Sequence, residues 1–292
     1  MLSDAEVPPF DILAPARQAA PVVFASPHSG DHYPADLIAA SRLSRQMLRK
    51  SEDSFVDRLF SAAPQFGAPL LRARWARVYL DLNREPYELD QGMFADPLPP
   101  HANTASLRVA GGLGTIARVV ADGAEVYGGK LRFAEAEARV ERLWRPYHTA
   151  LAELVAQTRR SFGFSILVDC HSMPSVGGPM DRDGGRSRPD VVLGDRFGAA
   201  CGAALTDFAH GQLERMGYAV ARNNPYAGGF TTHHYGQPAH ASHALQIEIN
   251  RALYMDERAI EPLPAFAEHA RNFAALIAGL NGLDLRPSLA AE

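Results

Sequence analysis

The sequence predicts an α/β fold in which helices flank a sheet, because short apolar runs of strand length alternate with amphipathic helical stretches along the chain. The clearest strand is 166–174, ILVDCHSMP, in which an apolar run leads into polar residues and is ended by Pro174. We find no internal repeat and no linker between two cores, so residues 1–292 are predicted to form a single catalytic domain.

The composition is typical of a soluble globular protein and gives no sign of a nucleic-acid-binding or membrane protein. Hydrophobic residues make up 47% of the 292 residues and charged residues 21%, which is ordinary for a soluble globular protein. The formal net charge of −4 gives no electrostatic footprint for nucleic acid, and no apolar run is long enough to span a membrane. The acidic N-terminus does not resemble a secretory signal, and two cysteines cannot form a disulfide framework. We therefore expect a cytoplasmic protein.

The first part of the chain is expected to contribute an edge of the sheet. Residues 1–20 are rich in Pro and Ala and are predicted to wrap the surface. The strands predicted here are 21–26, 69–72 and 77–82. Apolar positions on one face predict a helix over 53–60, with Asp53 or Ser54 as its N-cap.

The middle of the chain combines an irregular segment with a long helix. Residues 85–130 are rich in Gly and Pro, and so long an irregular stretch in a compact domain usually covers a functional site. Residues 133–161 have helical periodicity, and Pro146 is expected to kink this helix or split it in two.

The last part of the chain predicts further strands and helices around polar loops. The polar, glycine-rich loop 176–189 is a candidate lid, and loop 227–236 carries two histidines. The predicted strands are 190–193, 218–222 and 244–249, the predicted helices are 197–216 and 256–280, and residues 284–292 are expected to be a loose tail.

Two histidines at the ends of predicted strands suggest a metal site. His28 follows the strand 21–26, and His171 ends the strand that begins at Ile166. Open α/β sheets bind their ligands at the carboxyl ends of strands, and histidine is a common metal ligand. The third ligand is either Asp31, three residues after His28, or Asp53, which the sequence alone does not separate.

Glu248 is the candidate general base. In the strand ALQIEI, Leu245, Ile247 and Ile249 share one face, so Gln246 and Glu248 share the other. Such a polar face lies either at an exposed edge or in a cleft. A carboxylate in a cleft beside a metal site is suited to act as general base.

Several cationic or polar residues are candidates for substrate binding. Arg84 at the end of a predicted strand suits a carboxylate, since guanidinium binds carboxylates bidentately, although an ion pair with Asp81 or Glu85 would explain it equally well. The remaining candidates for this role are Asn83, Arg222 and one of the histidines of the loop 227–236.

Two residues beside His171 are given other roles. Cys170 is expected to face the apolar side of its strand. Asp169 is expected to reach His171 only if the strand bulges, and otherwise to support the site or cap a helix.

The chain resembles the N-formylglutamate amidohydrolase, or deformylase, family from about residue 20 to 275. The matching motifs, in order, are SPHSG (26–30), Asp53 ahead of RLF, DLNR (81–84), WRPYH (144–148), DCHSMP (169–174), RPDVVLGD (188–195), GGFTTHHYG (228–236) and QIEINRALYMDE (246–257).

This resemblance implies a three-layer α/β/α sandwich on a mostly parallel mixed sheet, distantly similar to zinc carboxypeptidases and aspartoacylase. It implies one catalytic Zn²⁺ held by His28, Asp53 and His171, with Glu248 as base and with Arg84 and His234 contacting the acidic substrate.

The implied reaction is hydrolysis of N-formyl-L-glutamate to formate and glutamate, a late step of histidine breakdown. The alternatives are a related zinc hydrolase for another N-acyl amino acid or a peptide end, and a non-catalytic binding homologue.

Overall fold

The computed structural model describes residues 3–120, 123–179, 181 and 183–286 and confirms the predicted fold class. A seven-stranded sheet has helices packed on both faces. The strands are β1 (Phe10–Leu13), β2 (Val22–Ser26), β3 (Leu70–Ala73), β4 (Val119–Val120), β5 (Ala124–Glu125), β6 (Ser165–Met173), β7 (Val191–Gly194), β8 (Val220–Arg222), β9 (Ser242–Asn250), β10 (Met255–Asp256) and β11 (Glu261–Pro262).

The main sheet is mixed but mostly parallel. Its strand order is β1-β3-β2-β6-β9-β7-β8. Strands β3, β2, β6 and β9 run parallel to one another, as do β7 and β8, whereas β1 and β7 pair antiparallel with β3 and β9. The carboxyl ends of β2, β6 and β9 therefore meet at one edge of the sheet.

Helices connect and cover the strands. They are α1 (Ala35–Ala40), α2 (Arg45–Arg49), α3 (Val56–Leu59), α4 (Leu107–Ala110), α5 (Phe133–Arg139), α6 (Arg145–Phe162), α7 (Ala203–Arg215), α8 (Phe230–Tyr235) and α9 (Phe266–Leu280). A π-helical turn, Val140–Trp144, joins α5 to α6, and Pro146 occupies the second position of α6, so the predicted split occurs just before the proline. Among the described residues, no helix has both the length and the hydropathy to cross a bilayer.

Two apolar cores lie on opposite faces of the sheet. In the first core, Leu167 and Ala244 pack with α5 and α6; in the second core, Val168 and Leu245 pack with α3, α7 and α9. All nine residues of β6 are buried, as expected for a central strand covered on both faces. Cys170 lies in the second core, which confirms its predicted orientation.

Several predicted elements are corrected by the structure. Residues 77–82 form turns rather than a strand, because β1, from the segment predicted to wrap the surface, takes the place beside β3. The alternation that suggested a strand there reflects burial of Val78, Leu80 and Leu82 in the first core.

Three helix predictions were also too long, and one helix was missed. Helix α7, predicted over 197–216, begins only at Ala203. Helix α3 begins only at Val56, and neither Asp53 nor Ser54 caps it. The closing helix begins at Phe266, because the short strands β10 and β11 precede it. Helix α8 lies within the predicted loop 227–236, and the predicted tail beyond residue 286 falls outside the described residues.

Candidate metal centre and active-site cleft

The register of β6 and β9 places four polar side chains on one face. His171 lies opposite Glu248, and Asp169 lies opposite Gln246. Because residues two apart in a strand share a face, all four project to the side of the first core, beyond its last apolar residues. The pairing is continuous, so Asp169 reaches the face of His171 without a bulge, and the expectation that a bulge was required was wrong.

His28, Asp53 and His171 converge at the carboxyl ends of β2 and β6. Oδ2 of Asp53 lies 3.2 Å from Nδ1 of His28 and 3.0 Å from Nδ1 of His171. All three side chains are buried, and one donor atom from each lies within 4.8 Å of the others. The structure therefore brings Asp53, and not Asp31, beside the two histidines; Asp31 is exposed to solvent.

A carboxylate faces the outer nitrogen of each histidine. Nε2 of His28 lies 2.7 Å from Oδ1 of Asp81, and Nε2 of His171 lies 3.0 Å from Oδ1 of Asp169. In metal sites such outer carboxylates hold the proton on the far nitrogen and leave the near nitrogen free to bind metal. Here both near nitrogens are Nδ1, and both face Asp53.

Asp53 is held so that a single oxygen points at the histidines. Its other oxygen, Oδ1, accepts hydrogen bonds from Arg251 at 3.1 Å and from the Ser172 hydroxyl at 3.2 Å. Its backbone N–H donates to the His28 carbonyl at 3.0 Å. Phe55, two residues on, has a left-handed φ of 68°, a conformation that is costly for a side chain with a Cβ and lets the chain turn into α3 directly after Asp53.

The three donors fit a divalent metal such as zinc. Ligands about 2.1 Å from a tetrahedral zinc ion lie roughly 3.4 Å apart, close to the separations from Asp53 to each histidine. The charge also fits, since four buried carboxylates surround the two rings: Asp53, Asp81, Asp169 and Glu248. Oδ1 of Asp169 is buried, and its 3.0 Å contact with Nε2 of His171 is an ion-pair contact without hydrogen-bond alignment, so the charge of this aspartate lies directly against the centre.

The pKa shifts of Asp53 and His171 reflect the excess of buried negative charge at this centre. Burial opposes ionisation of Asp53, but hydrogen bonds from His171 and His28 outweigh it and hold the pKa of Asp53 well below its usual range. Burial likewise lowers the pKa of His171, but Asp169 and Asp53 outweigh it and raise that pKa well above its usual value. A site that draws positive charge this strongly favours a cation among its donors.

Glu248 lies beside this centre as a buried carboxyl group. Burial raises its pKa to about 8, with the charge of Asp53 adding to the effect and that of His171 opposing it. Nε2 of Gln246 donates to Oε1 of Glu248 at 2.8 Å, while Oε1 of Gln246 accepts from the Gly229 amide at 2.8 Å. Gln246 therefore has its amide orientation fixed and leaves Oε2 of Glu248 available.

The centre opens into a cleft of about 490 Å³. Its lining carries the basic residues Lys50, Arg77, Arg84, Arg108 and Arg251. Arg77 donates to Oδ2 of Asp81 at 2.7 Å. Burial acts to lower the pKa of this half-buried guanidinium, but Asp81, with Asp53 and Glu248 adding to its effect, outweighs burial and raises that pKa. Positive side chains therefore line a cleft that leads to the candidate metal centre.

The segment 81–84 is fastened to both α6 and α8. The indole of Trp144 donates to the Arg84 carbonyl at 2.9 Å, and Nε2 of His148 donates to the Leu82 carbonyl at 2.8 Å. Oδ1 of Asn83 accepts from the Thr231 amide at 2.7 Å, and Gly229 is needed beside it because a Cβ there would lie 2.4 Å from the Asn83 amide. These contacts fix the position of Asp81 against His28.

Comparison with known proteins identifies the family of the chain. The family model described as N-formylglutamate amidohydrolase matches residues 20–255. The chain belongs to the N-formylglutamate amidohydrolase family. The sequence resemblance that indicated this family is thereby confirmed.

Relatives of this family member cover nearly its full length. It is 31% identical over 256 residues to an N-formylglutamate deformylase of Pseudomonas aeruginosa, covering 85% of this chain and 87% of that protein. A deformylase of Pseudomonas putida is 29% identical and is covered to 82%, with 81% of this chain matched. The crystal structure of an N-formylglutamate amidohydrolase from Ralstonia eutropha is 36% identical with a TM-score of 0.86, covering 93% of this chain and 96% of that one.

Not every predicted site residue of this amidohydrolase family member reaches the cleft. Arg84 and Asn83 line it, as do His28, Asp53, His171 and Glu248. Arg222 instead pairs on the surface with Asp207 at 2.7 Å, because its strand lies at the far edge of the sheet. His234 is exposed on α8 and stacks on Phe230, outside the cleft lining.

The sequence analysis missed several residues that lie at the centre or line its cleft. Asp81 was considered only as an ion-pair partner of Arg84, whereas its closest contact is with His28. Arg251 and Ser172 directly follow β9 and His171, so their position at strand ends was the signal that could have placed them. Arg77 lies in a turn and Arg108 on the short helix α4, and neither residue follows the end of a strand, so no such signal pointed to them.

Proposed function

We propose that this protein is a metal-dependent amidohydrolase that hydrolyses N-formyl-L-glutamate to formate and L-glutamate. The observation that carries the proposal is the convergence of two Nδ1 atoms on a single oxygen of Asp53, at the base of a cationic cleft and beside Glu248. The names of its relatives, which are N-formylglutamate deformylases, support the choice of substrate.

His28, Asp53 and His171 would hold the metal, with zinc as the proposed ion. A zinc ion bound there supplies Lewis-acid chemistry, polarising a carbonyl oxygen and bringing the pKa of water toward neutrality. Three protein donors that line the cleft would leave a position for water or substrate, as catalytic rather than structural zinc sites do.

Glu248 would act as general base and then as general acid. Its carboxylate takes a proton from the water that attacks the formyl carbon, and it returns that proton to the amine nitrogen as the C–N bond breaks. Burial raises the pKa of Glu248 to about 8, and a cation bound next to it would favour the ionised form that accepts the proton.

Arg77 and Arg84 would bind the negative charge of substrate and transition state. Arg77 lines the cleft and donates to Asp81, which in turn contacts His28, so its guanidinium is the donor suited to charge developing on the formyl oxygen. Arg84 uses Nε on the Leu113 carbonyl and Nη1 on the Asn83 carbonyl, so Nη2 remains to meet a carboxylate of the substrate.

The direct test is the rate of formate release from N-formyl-L-glutamate before and after metal removal. We expect activity in the zinc-loaded protein, its loss after dialysis against a chelator, and its return when zinc is added back. Full activity with no metal detected by elemental analysis would refute metal dependence. A zinc-loaded protein that releases no formate would refute the substrate, and N-formyl and N-acetyl derivatives of aspartate and neutral amino acids would then be compared.

The role of Glu248 is tested by Glu248→Gln. Glutamine keeps the oxygen that accepts from Gln246, so fold and zinc content should be preserved while kcat falls by roughly 10²–10⁴-fold. Glu257→Gln is the control, because Glu257 lies outside the cleft and accepts a hydrogen bond from the Ser175 amide. A Glu248→Gln enzyme with a near-normal kcat would exclude this residue as the base.

A further inference from the structure

The basic residues of the cleft differ in how far their charge is already compensated. Arg77 pairs with Asp81, and Arg251 uses its three nitrogens on Ser172, the Lys50 carbonyl and Asp53. These two cations hold the metal centre in place. They have little capacity left to recognise the far end of a substrate.

Arg84 is only partly compensated. It is buried, and its nearest carboxylate oxygen belongs to Asp81 at 3.9 Å, a distance too long for a hydrogen bond. Asp81 is already shared between His28 and Arg77. Arg84 therefore lines the cleft as a buried cation whose Nη2 group has no hydrogen-bond acceptor among the described residues and has only the 3.9 Å contact with Asp81 as an ion pair.

Arg108 adds a second positive charge to the same wall. It lines the cleft from α4, and among the described residues no oxygen accepts a hydrogen bond from its guanidinium. Arg84 and Arg108 line the same cleft, and burial, with the charge of Arg108 adding to it and that of Asp81 opposing it, lowers the pKa of Arg84 to about 10. Neighbouring cations of this kind are stabilised when anions bind between or upon them.

The chain ties Arg108 to Arg84. The Arg108 carbonyl accepts from the Leu113 amide at 2.8 Å, and the Leu113 carbonyl accepts from Nε of Arg84 at 2.9 Å. Ser106 caps α4 by accepting from the Val109 amide at 3.0 Å. Arg84 is buried whereas Arg108 is exposed, so the pair extends from the depth of the cleft to its rim.

We propose that Arg108 is a specificity-determining residue that binds the side-chain carboxylate of an acidic N-formyl amino acid, while Arg84 binds the α-carboxylate nearer the formyl amide. This inference rests on the proposed function. It assigns the choice of a dicarboxylate substrate to the irregular segment 85–130, through α4.

The test compares N-formyl-L-glutamate with N-formyl-L-glutamine, which has the same shape but a neutral side chain. We expect Arg108→Gln to lower the ratio of kcat/KM for the two substrates about tenfold to hundredfold, mainly through KM for the glutamate derivative. Arg108→Lys keeps the charge and should retain part of the preference. Arg160→Gln, a surface change on α6 outside the cleft, should leave the ratio unchanged.

The possible failures are distinguishable. If the zinc-loaded wild-type protein hydrolyses N-formylglutamate and Arg108→Gln leaves the ratio intact, the role of Arg108 is refuted while the proposed function stands. Equal losses on both substrates would also refute it, since they indicate a structural effect. If the wild-type protein hydrolyses neither substrate, both proposals fall.

Discussion

Asp81→Asn is the sharpest test of how the centre is built, because it removes the charge beside His28 while keeping the oxygen that His28 contacts. Asp81 is nearly buried, and its Oδ1 accepts from both His28 Nε2 at 2.7 Å and the Asn83 amide at 2.8 Å. The carbonyl oxygen of asparagine can still accept both bonds. The substitution removes the negative charge that increases the basicity of His28, and it also removes the Oδ2 atom that accepts from Arg77 at 2.7 Å.

The size of the effect follows from that contact. Removing the outer partner of a metal-binding histidine typically weakens metal binding about 10- to 100-fold, or roughly 1.4 to 2.7 kcal/mol. Asp81→Asn should lie near the lower figure because it keeps the hydrogen bond. Asp81→Ala, which loses both the charge and the acceptor, should lie near the upper one.

The assay is competition for zinc with a chromophoric chelator at fixed pH. Asp195→Asn is the matched control: Asp195 also lies just after a strand, but it bonds to Asn223 and Thr206, away from the centre. A zinc Kd for folded Asp81→Asn within twofold of the wild-type value would refute the idea that Asp81 supports His28 as a metal ligand.

Three further changes test other parts of the argument. His171→Ala removes one of the three donors and should abolish stoichiometric zinc by elemental analysis; full zinc occupancy would exclude His171 as a ligand. Burial lowers the pKa of His148 to about 4 against about 6.5 when unfolded, so the unfolded chain binds more protons in this window, and up to about 3 kcal/mol of stability is present above pH 6.5 and lost as pH falls toward 4. His148→Gln should therefore flatten the fall in urea-unfolding free energy between pH 6.5 and 4, and an unchanged slope would contradict this. Trp144→Phe removes the hydrogen bond to the Arg84 carbonyl and should raise KM several-fold with little change in kcat; an effect on kcat alone would show that Trp144 does not act through Arg84.

The sequence predicted those parts of the site that lie on regular strands. His28 and His171 stand where apolar runs end, and the alternation in ALQIEI placed Glu248 on a polar face. The positions of His171 and Glu248 were inferred from strand patterns alone. These patterns are reliable here because β6 and β9 are long strands that are buried on both faces. Asp53 was separated from Asp31 by family resemblance, since both lie in turns whose direction a sequence pattern does not give.

The residues that were missed or misplaced depend on tertiary packing. Alternating apolar residues in 77–82 resembled a strand, but they are buried beneath α6 without joining the sheet, and this packing directs Arg77 and Asp81 to the centre. The segment containing His234 lacked helical periodicity, yet it folds into α8 against β6 and β9. Arg222 was expected at the site because it ends a strand, but β8 is an edge strand remote from β2.

The continuous pairing of β6 and β9 has a consequence for how this enzyme could be redesigned. His171 and Glu248 are neighbours across hydrogen-bonded backbones, so their spacing is set by the sheet rather than by any loop. Arg108, in contrast, reaches the cleft from a short helix in irregular chain. Under the proposed function, grafting a different segment in place of α4 should therefore retarget the protein to other N-formyl amino acids while the proposed metal ligand His171 and the proposed base Glu248 keep their separation.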